Sequence, residues 1–378
     1  MLSRIVLLSV LGSCVIGIVA LSDSGAVVHE WGTFTSVAGE DGAAVSWRTL
    51  SGPSDLPCFV HRLDQRNWKL TAFGTVRMET PVMYFYPSKP TTVSVHVDFP
   101  EGLVTEWYPQ TSSTQPSSGN RGWVEWKDIQ LNKTAASLPR LGPASHYYAA
   151  RETDSWPLKS EGENEKLLFY RGIGRFGVDL RAVVHANSVS IRNDGSDSIP
   201  EAMLFENREG HAGYRILRSL RDPVTVQFSD LGGTMDSLRG DFENELVEMG
   251  LYRKEAQAML ATWHDSWFEE GLRVFYIVPR AKVDSLLPAS IHPAPAQFSR
   301  VFVGRVELLS PHMRQQIGNA LQKGDVAVLQ KYGRFLGAFL NEMSAGGSEP
   351  PMCERARQFL QKAEIQSQAE SLRTSCAE

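Results

Sequence analysis

The stretch Thr92–Phe99, TVSVHVDF, decides the fold class more clearly than any other part of the chain. Apolar residues occupy every second position in it, and polar residues lie between them. Because successive side chains on a strand point to opposite faces, this pattern predicts a strand with one buried face and one face in water. The apolar run Val82–Tyr86 precedes it, and Pro87–Pro90 supplies a turn between the two segments.

Similar strand patterns recur from Val27 to about Gln227, and no helical pattern separates them. The further strands that we predict are Val27–Val37, Trp123–Ile129, Lys166–Arg171, Gly213–Leu217 and Val224–Phe228. Many short strands without intervening helices favour an antiparallel sandwich over βαβ units.

After Gly232 the pattern becomes mainly helical. We predict helices at Asp236–Met249, Arg253–Glu270, Pro311–Gln322 and Asp325–Met343, a helical tail from Glu354, and two strands at Leu272–Pro279 and Ser299–Leu308. The expected fold is α+β, with an antiparallel β-sandwich-like body followed by a helical hairpin and a helical C-terminal tail. The expected divisions are a signal peptide at 1–20, a β-sandwich-like domain at 21–232 and a mainly helical region with two strands at 233–378. As an alternative, the two late strands rejoin the first sheet and the chain forms one unit.

The N-terminus has the pattern of a secretory signal. Arg4 is followed by the apolar run Ile5–Ala20 and then by a polar stretch. The run is shorter than the roughly 20 residues that span a membrane as a helix, so we expect cleavage near Ala20, no membrane span afterwards, and a secreted or periplasmic protein. The alternatives are an uncleaved signal anchor or a lipid anchor at Cys14, within the tetrad LGSC.

Composition and charge limit the classes of function. Of 378 residues, 42% are hydrophobic and 21% are charged, which provides a folded core and excludes an intrinsically disordered chain. The 38 Lys and Arg residues are outnumbered by 43 Asp and Glu residues, for a formal net charge of −5. A chain without a basic field does not collect phosphate backbones, so we expect no nucleic-acid partner.

Four cysteines are present, and Cys14 falls within the predicted signal. Cys353 and Cys376 flank a segment with a helical pattern, which would separate them by roughly 35 Å, far beyond the roughly 7 Å limit for a disulfide. Any disulfide of the mature chain therefore involves Cys58. Because a core of this size does not need a bridge, we expect Cys58 to be buried and unbridged.

Residues 172–177, GIGRFG, match the G-x-G-x-x-G pattern of dinucleotide-binding proteins. That mechanism requires a helix directly after the glycines, whereas the sequence continues as a strand. We therefore predict a glycine-rich bend and no cofactor-binding residues. The G-x-S-x-G pattern of many serine hydrolases does not occur in the sequence.

Nine histidines raise the question of a metal, but none falls in H-E-x-x-H and no two cysteines have zinc-finger spacing. His29 and Glu30 are neighbours on a predicted strand and point to opposite faces, so they cannot easily bind one ion together. A distant ligand such as His61 or His146 could join His29. The sequence leaves the presence and identity of a metal open.

Three carboxylates are candidates for acid–base catalysis: Glu30, Glu79 and Glu106. Arg77 precedes Glu79 by two residues, and an arginine-paired carboxyl has a lowered pKa that suits an ion pair better than a general acid. Glu106 lies beside Trp107, where an apolar environment would raise its pKa, or it lies at the surface. Glycoside cleavage needs two carboxylates about 5–9 Å apart.

The predicted β region holds seven of the nine tryptophans. Exposed indole rings on a β-sandwich suit the apolar faces of sugar rings. The candidate binding residues for a glycan or an envelope protein are therefore Trp31, Trp107 and Trp126, with His29 and Arg77, and further platform candidates are Trp47 and Trp68. Burial in the core explains the same tryptophans equally well.

Three segments resemble a group of secreted proteins from environmental bacteria: residues 27–42, 77–109 and 250–280. The group is recognisable by its HEWGTFTS motif, here His29–Ser36, and the likeness extends over most of the mature chain. The resemblance implies an exported or envelope location, and it implies no particular activity, cofactor or site residues.

Two functions from different classes follow from the sequence. The first is a non-catalytic glycan-binding, protein-binding or envelope-structural protein that uses the aromatic residues of the β body. The second is an extracytoplasmic hydrolase that uses carboxylates such as Glu30 and Glu79, with or without a metal bound by His29. The lack of a known nucleophile or metal signature in the sequence favours the first.

Overall fold

The computed structural model describes residues 25–49, 56–63, 73–116, 121–134, 137–141 and 145–345, with residues 354, 355, 358, 359 and 361. The predicted signal segment 1–20, Trp68, Cys353, Cys376 and most of the predicted C-terminal tail lie outside the described residues.

Twenty strands and seven α-helices are assigned within the described residues. The strands are β1 (Val27–Val37), β2 (Trp47–Arg48), β3 (His61–Arg62), β4 (Phe73–Gly74), β5 (Val76–Tyr86), β6 (Thr91–Phe99), β7 (Gly102–Tyr108), β8 (Ser113–Thr114), β9 (Gly122–Leu131), β10 (Leu158–Ser160), β11 (Glu163–Glu165), β12 (Leu168–Gly174), β13 (Leu180–Val184), β14 (Ser188–Asn193), β15 (Ile199–Arg208), β16 (His211–Leu220), β17 (Val224–Gln227), β18 (Gly271–Ile277), β19 (Ala289–His292) and β20 (Gln297–Leu308). The α-helices are α1 (Met235–Glu248), α2 (Arg253–Thr262), α3 (His264–Trp267), α4 (Arg280–Leu286), α5 (Pro311–Lys323), α6 (Val326–Gln330) and α7 (Leu336–Ala345), and 3-10 helices lie at His146–Arg151, Phe228–Asp230 and Gly333–Phe335.

The larger sheet has nine strands in the spatial order β16-β15-β18-β20-β1-β5-β12-β7-β3. Its neighbours are antiparallel, except that β1 and β20 run parallel. A six-stranded antiparallel sheet has the order β11-β10-β9-β6-β19, with β8 paired to β9. The α+β class with antiparallel-rich sheets is confirmed.

The two large sheets share one apolar core. Phe34 and Met78 of the larger sheet belong to the same buried cluster as Val95 and Trp126 of the smaller one. The opposite face of the larger sheet forms a second buried cluster with α1 and α2, to which Trp31 belongs. The larger sheet is therefore covered on both faces, and most side chains of its central strands are buried.

The pattern that defines β6 is confirmed, because its residues alternate between buried and partly exposed positions from Val93 to Phe99. The predicted limits of β1 are also those observed. Two predicted helices are each divided. The helix predicted at Arg253–Glu270 ends at Thr262 and resumes for one turn, and beyond it Arg273 bonds the carbonyl oxygens of Trp267 and Glu269.

The helix predicted at Asp325–Met343 is interrupted near Gly333, which has φ +49°. That left-handed conformation is one that glycine adopts without a steric cost, and it ends the regular helix. The apolar residues of α2 and α3 at helical spacing form one buried stripe: Ala256, Met259, Leu260, Trp263 and Trp267.

Strands from both ends of the chain meet in the larger sheet. β20 pairs with β1, and β18 lies between β20 and β15, so the sheet crosses the division that the sequence places at residue 233. The glycine-rich segment 172–177 begins within β12 and leads to strand β13 rather than to a helix, as the sequence indicates. Within the described residues, no helix combines the length and the apolar character that a membrane crossing requires.

The expectation for Cys58 is wrong, because Cys58 is half-buried and disulfide-bonded. Its partner cysteine lies outside the described residues. The size of the core removes the need for a bridge but does not prevent one. The bond agrees with the expectation that any disulfide of the mature chain involves Cys58.

Candidate functional site

The HEWGTFTS motif forms most of β1, in the centre of the larger sheet. Alternation along the strand directs one set of side chains toward the helices and the other toward the smaller sheet. The set on the helical side is His29, Trp31, Thr33 and Thr35, and the other set is Glu30, Gly32, Phe34 and Ser36. Every residue of the motif is buried.

His29 forms an ion-pair-like hydrogen bond with Glu255 of α2, at 2.7 Å between Nδ1 and Oε2. The imidazole is almost completely buried, and the carboxylate is fully buried. A carboxylate only accepts hydrogen bonds, so Nδ1 is the donor of this bond, and when the ring is neutral its lone pair lies on Nε2. Within the described residues, no side chain or backbone group hydrogen-bonds Nε2.

Glu255 is fixed by two further donors. The hydroxyl of Tyr86 donates to Oε1 at 2.8 Å, and the backbone N–H of Tyr252 donates to Oε2 at 2.7 Å. Glu255 lies in the first turn of α2, where the helix dipole favours negative charge. Burial, followed by the charge of Glu255, raises the pKa of Tyr86 above its ordinary value, so its hydroxyl stays protonated and remains a donor.

Two tyrosine rings enclose the imidazole. The ring centroid of Tyr252 lies 4.4 Å from that of His29, and the ring of Tyr86 lies 5.7 Å away. Tyr252 is 46% exposed, so the histidine lies directly beneath the protein surface. His29, Glu255, Tyr86 and Tyr252 are called the histidine site below.

Glu30 lies on the opposite face of β1 and is separated from the histidine site by the sheet itself. Its carboxylate accepts from Arg300 Nε at 2.5 Å and also from the Tyr170 hydroxyl. Arg300 is the residue directly beside Glu30 on β20. As predicted for neighbouring strand residues, His29 and Glu30 do not converge, and both carboxylate oxygens of Glu30 are bonded within the protein.

Glu79 forms a bidentate ion pair with Arg334, with both nitrogen–oxygen distances at 2.8 Å. Arg77 Nε lies 3.9 Å from the same carboxylate. Burial alone would raise the pKa of Glu79, but the two guanidinium groups and the Arg334 hydrogen bonds outweigh it and lower the pKa to about 2. The carboxyl is therefore ionised at neutral pH, as the Arg77 spacing indicates, and it is unsuited to act as a general acid.

The Glu79 ion pair belongs to a larger buried group of charges, called the arginine–glutamate cluster: Arg77, Glu79, Arg273, Arg305, Glu307 and Arg334. Glu307 accepts from Arg273 at 2.8 Å and from Arg305 at 2.5 Å. Burial would raise the pKa of Glu307, but these two cations hold it below its ordinary value. Arg305 also donates to Ser266 at 2.6 Å, so the cluster is extensively cross-bonded.

An irregularity in β5 directs Glu79 into this cluster. Between the pairs Trp31–Val82 and Thr33–Glu79, β5 contributes one residue more than β1. Thr80, within that interval, has φ +47°, which is an uncommon conformation for a β-branched residue. The bulge therefore re-aims the strand at the level of Glu79 and Thr33.

Glu106 is not paired in the sheet with either of the other two candidate carboxylates. It lies on β7 between Arg171 of β12 and Arg62 of β3, and it accepts a hydrogen bond from Thr105. Trp107 is buried on the face toward the smaller sheet. The three carboxylates proposed from the sequence thus occupy separate environments.

A tryptophan platform needs at least two exposed indole rings on one surface, and the described candidates are buried. Trp31, Trp47 and Trp126 are at most 1% exposed, and Trp107 is 6% exposed. Trp68 lies outside the described residues, so at most one of the four platform candidates Trp47, Trp68, Trp107 and Trp126 remains available for an exposed surface. The alternative interpretation, that these rings build the core, describes them correctly.

The histidines proposed as metal partners do not gather around His29. His61 pairs with Glu163 at 3.0 Å, and His146 lies 3.5 Å from Asp265. No group of three or more His, Cys, Asp or Glu side chains with metal-binding geometry occurs in the part of the chain that the structure describes.

The sequence did not single out Glu255, Tyr86 or Arg334. Glu255 follows Tyr252 by three residues, which is the usual position of a glutamate that bonds the helix-capping residue. This local role is present, and it conceals the second bond that the same carboxylate makes to His29. Only the long-range packing of α2 on β1 brings the two residues together.

No family model matches the chain, and no curated protein matches it with significant similarity.

Proposed function

We propose that this protein is an exported hydrolase in which His29 is the general base and Glu255 holds it in the reactive orientation. The observation that carries the proposal is the asymmetric bonding of the imidazole: Nδ1 is fixed by a buried carboxylate at 2.7 Å, and Nε2 is unbonded by any described residue. A carboxylate–imidazole pair of this kind orients the ring and stabilises the imidazolium that forms when it takes a proton.

The alternatives from the sequence have less support from the same geometry. General acid catalysis by Glu79 would need a pKa near the working pH, and its pKa is about 2. Glu30 is bonded to Arg300 and Tyr170 on the other face of the sheet. In the proposed enzyme the essential carboxylate is Glu255, and it acts through His29.

Non-catalytic binding through exposed tryptophans loses its main argument with the burial of Trp47, Trp107 and Trp126. If the hydrolase proposal is disproved, two interpretations remain: binding to a partner of another kind, and a structural role in the envelope.

Two observations support export. The segment Arg4–Ala20 has the pattern of a secretory signal, and Cys58 is disulfide-bonded. Structural disulfides persist in oxidising compartments and are rare in the cytosol. The bridge and the signal pattern therefore favour the same secreted or periplasmic location, and the resemblance to secreted bacterial proteins favours it as well.

The test uses the mature chain purified with its disulfide intact and a panel of chromogenic carboxylic esters, phosphate esters, glycosides and anilides. We expect turnover of at least one class by the wild type. His29→Gln keeps a donor for Glu255 but cannot accept a proton through Nε2, so kcat is expected to fall by about 10²–10⁴ with an unchanged melting temperature. Glu255→Gln is expected to lower kcat in the same way.

A matched control is available in the same molecule. His61 also pairs with a glutamate, Glu163, at 3.0 Å, but both residues are about one-third exposed. His61→Gln should leave kcat unchanged. The proposal is overturned if the wild type turns over no member of the panel, or if His29→Gln and His61→Gln have equal kcat.

A further inference from the structure

Ser299 of β20 is the aliphatic hydroxyl residue that pairs with His29 in the register of the sheet. The two residues are directly paired across the parallel strands β1 and β20. Paired residues of adjacent strands project from the same face, and adjacent strands are about 4.8 Å apart. Ser299 therefore lies beside His29 on the helical side of the sheet.

The hydroxyl of Ser299 has a free donor. Its Oγ accepts a hydrogen bond from Gln297 Nε2 at 3.0 Å, and no described group accepts its proton. Ser299 is only partly buried, unlike the next two residues that face the helices, Val301 and Val303. The hydroxyl is thus held from one side while its proton remains available to a base.

The loop between α1 and α2 approaches Ser299 through a glycine. Gly250 has φ +111°, which side-chain-bearing residues rarely adopt, and a Cβ there would lie 3.6 Å from Ser299 Oγ. A larger side chain at residue 250 would project into the space next to the hydroxyl. Glycine at this position keeps the approach to Ser299 open.

The rings beside Ser299 and His29 indicate the class of substrate. Tyr252 is 46% exposed, and its ring centroid lies 4.9 Å from that of Tyr86, so the rim of the site is aromatic. Lys254, the lysine next to Glu255 in sequence, forms an exposed ion pair with Asp154 at 2.6 Å. This rim suits an uncharged aryl or alkyl group better than a phosphate or a carboxylate.

Resting on the function proposed above, we infer that Ser299 is the nucleophile activated by His29 and that the substrate is an uncharged carboxylic ester. Oγ of Ser299 bonds to the carbonyl carbon while its proton moves to Nε2 of His29. The bond from carbon to the alcohol oxygen then breaks, and the alcohol leaves with that proton. Water next gives a proton to His29, its oxygen bonds to the acyl carbon, and the acid departs as Ser299 regains its proton.

The experiment combines hydrolysis of p-nitrophenyl acetate and butyrate with labelling by diisopropyl fluorophosphate, which forms a phosphorus–oxygen bond to an activated serine and releases fluoride. We expect one label on the wild type, located by mass spectrometry on the peptide that contains Ser299. Ser299→Ala should lose both the label and ester turnover, and His29→Gln should slow labelling at least about 100-fold. Ser285→Ala is the control, because Ser285 is exposed on α4 and bonds only the Lys282 carbonyl.

Melting temperatures of all variants establish that they are folded. If ester turnover is lost in His29→Gln but persists in Ser299→Ala, the assignment of Ser299 is wrong, and the proposed function stands with water as the nucleophile. If the wild type hydrolyses only phosphate esters, glycosides or anilides, the ester assignment is wrong while the hydrolase stands. If no substrate is turned over and no label is incorporated, both proposals fall.

Discussion

Replacing Glu79 by Gln tests how much its buried ion pair contributes to the free energy of unfolding. The carboxyl is 2% exposed and is bonded by two nitrogens of Arg334 at 2.8 Å. Burial opposes ionisation, but Arg334 and Arg77 outweigh it and lower the pKa from 4.5 to about 2. Because one pKa unit corresponds to about 1.4 kcal/mol, the preference of the fold for the carboxylate is worth roughly 3 kcal/mol at neutral pH.

The sign of the pH dependence follows from the lowered pKa. The stabilisation is fully present above the unfolded-state value of 4.5, and it is lost as the pH falls toward 2. Glu79→Gln lacks this contribution at every pH. We therefore expect its free energy of unfolding to be roughly 3 kcal/mol below that of the wild type at pH 7, and we expect the difference to shrink in acid.

Urea titrations at pH 7, 5 and 3, without reductant and followed by circular dichroism, measure this difference. Asp154→Asn is the control, because its 2.6 Å pair with Lys254 is 71% exposed on the carboxylate side. A surface pair of that kind contributes about 0–1 kcal/mol. Equal destabilisation by the two substitutions at pH 7, or a Glu79→Gln deficit that stays constant down to pH 3, would refute the reasoning.

Three other predictions concern stability. Burial, followed by a neighbouring carboxyl on α1, raises the pKa of Glu201 to about 8, so the folded state retains a proton that the unfolded chain releases. The melting temperature of the wild type should therefore fall as the pH rises from about 5 to 8, and the melting temperature of Glu201→Gln should fall less over the same range. Equal falls in the two proteins would contradict the prediction. A Cβ on Gly32 would lie 2.6 Å from the Phe302 ring, so Gly32→Ala should cost about 1–3 kcal/mol by calorimetry. Gly240→Ala, with no atom within 4 Å of the added carbon, should cost nothing, and equal effects would argue against the close packing. Cys58→Ser should lower the free energy of unfolding by about 2–4 kcal/mol and abolish the effect of reductant, whereas a wild type insensitive to reductant would count against a stabilising bridge.

Local patterns in the sequence predicted local structure well. The alternation of β6 reflects one buried face, and that information repeats every two residues. The limits of β1 were also predicted, although both of its faces are buried. The position of β20 beside β1 could not be obtained in this way. About 270 residues separate their paired positions, and no residue spacing records a contact over that distance.

The candidate site was partly accessible for the same reason. Arg77 lies two residues from Glu79, so the ion pair could be expected from spacing alone. Arg334, which supplies the bidentate contact, is 255 residues away. His29 was named as a candidate metal ligand and binding residue, but its partner Glu255 is 226 residues distant and has the sequence environment of an ordinary first-turn glutamate.

The two faces of β1 differ in a way that argues for chemistry on one of them. Glu30 lies toward the smaller sheet, and both of its oxygens are bonded, one to Arg300 and one to Tyr170. A buried charge with a purely structural role needs all of its hydrogen bonds, because each buried polar atom without a partner costs free energy. His29 lies one residue away with an equally well-held carboxylate partner, yet its second nitrogen is bonded by no described group. A missing bond alone does not mark a catalytic group, because among the described residues Trp31 Nε1 and Thr33 Oγ1 on the same face of β1 also lack a hydrogen-bond partner. What distinguishes His29 is that its bond from Nδ1 to a buried carboxylate orients the ring and leaves Nε2 with the lone pair that a general base needs for its substrate.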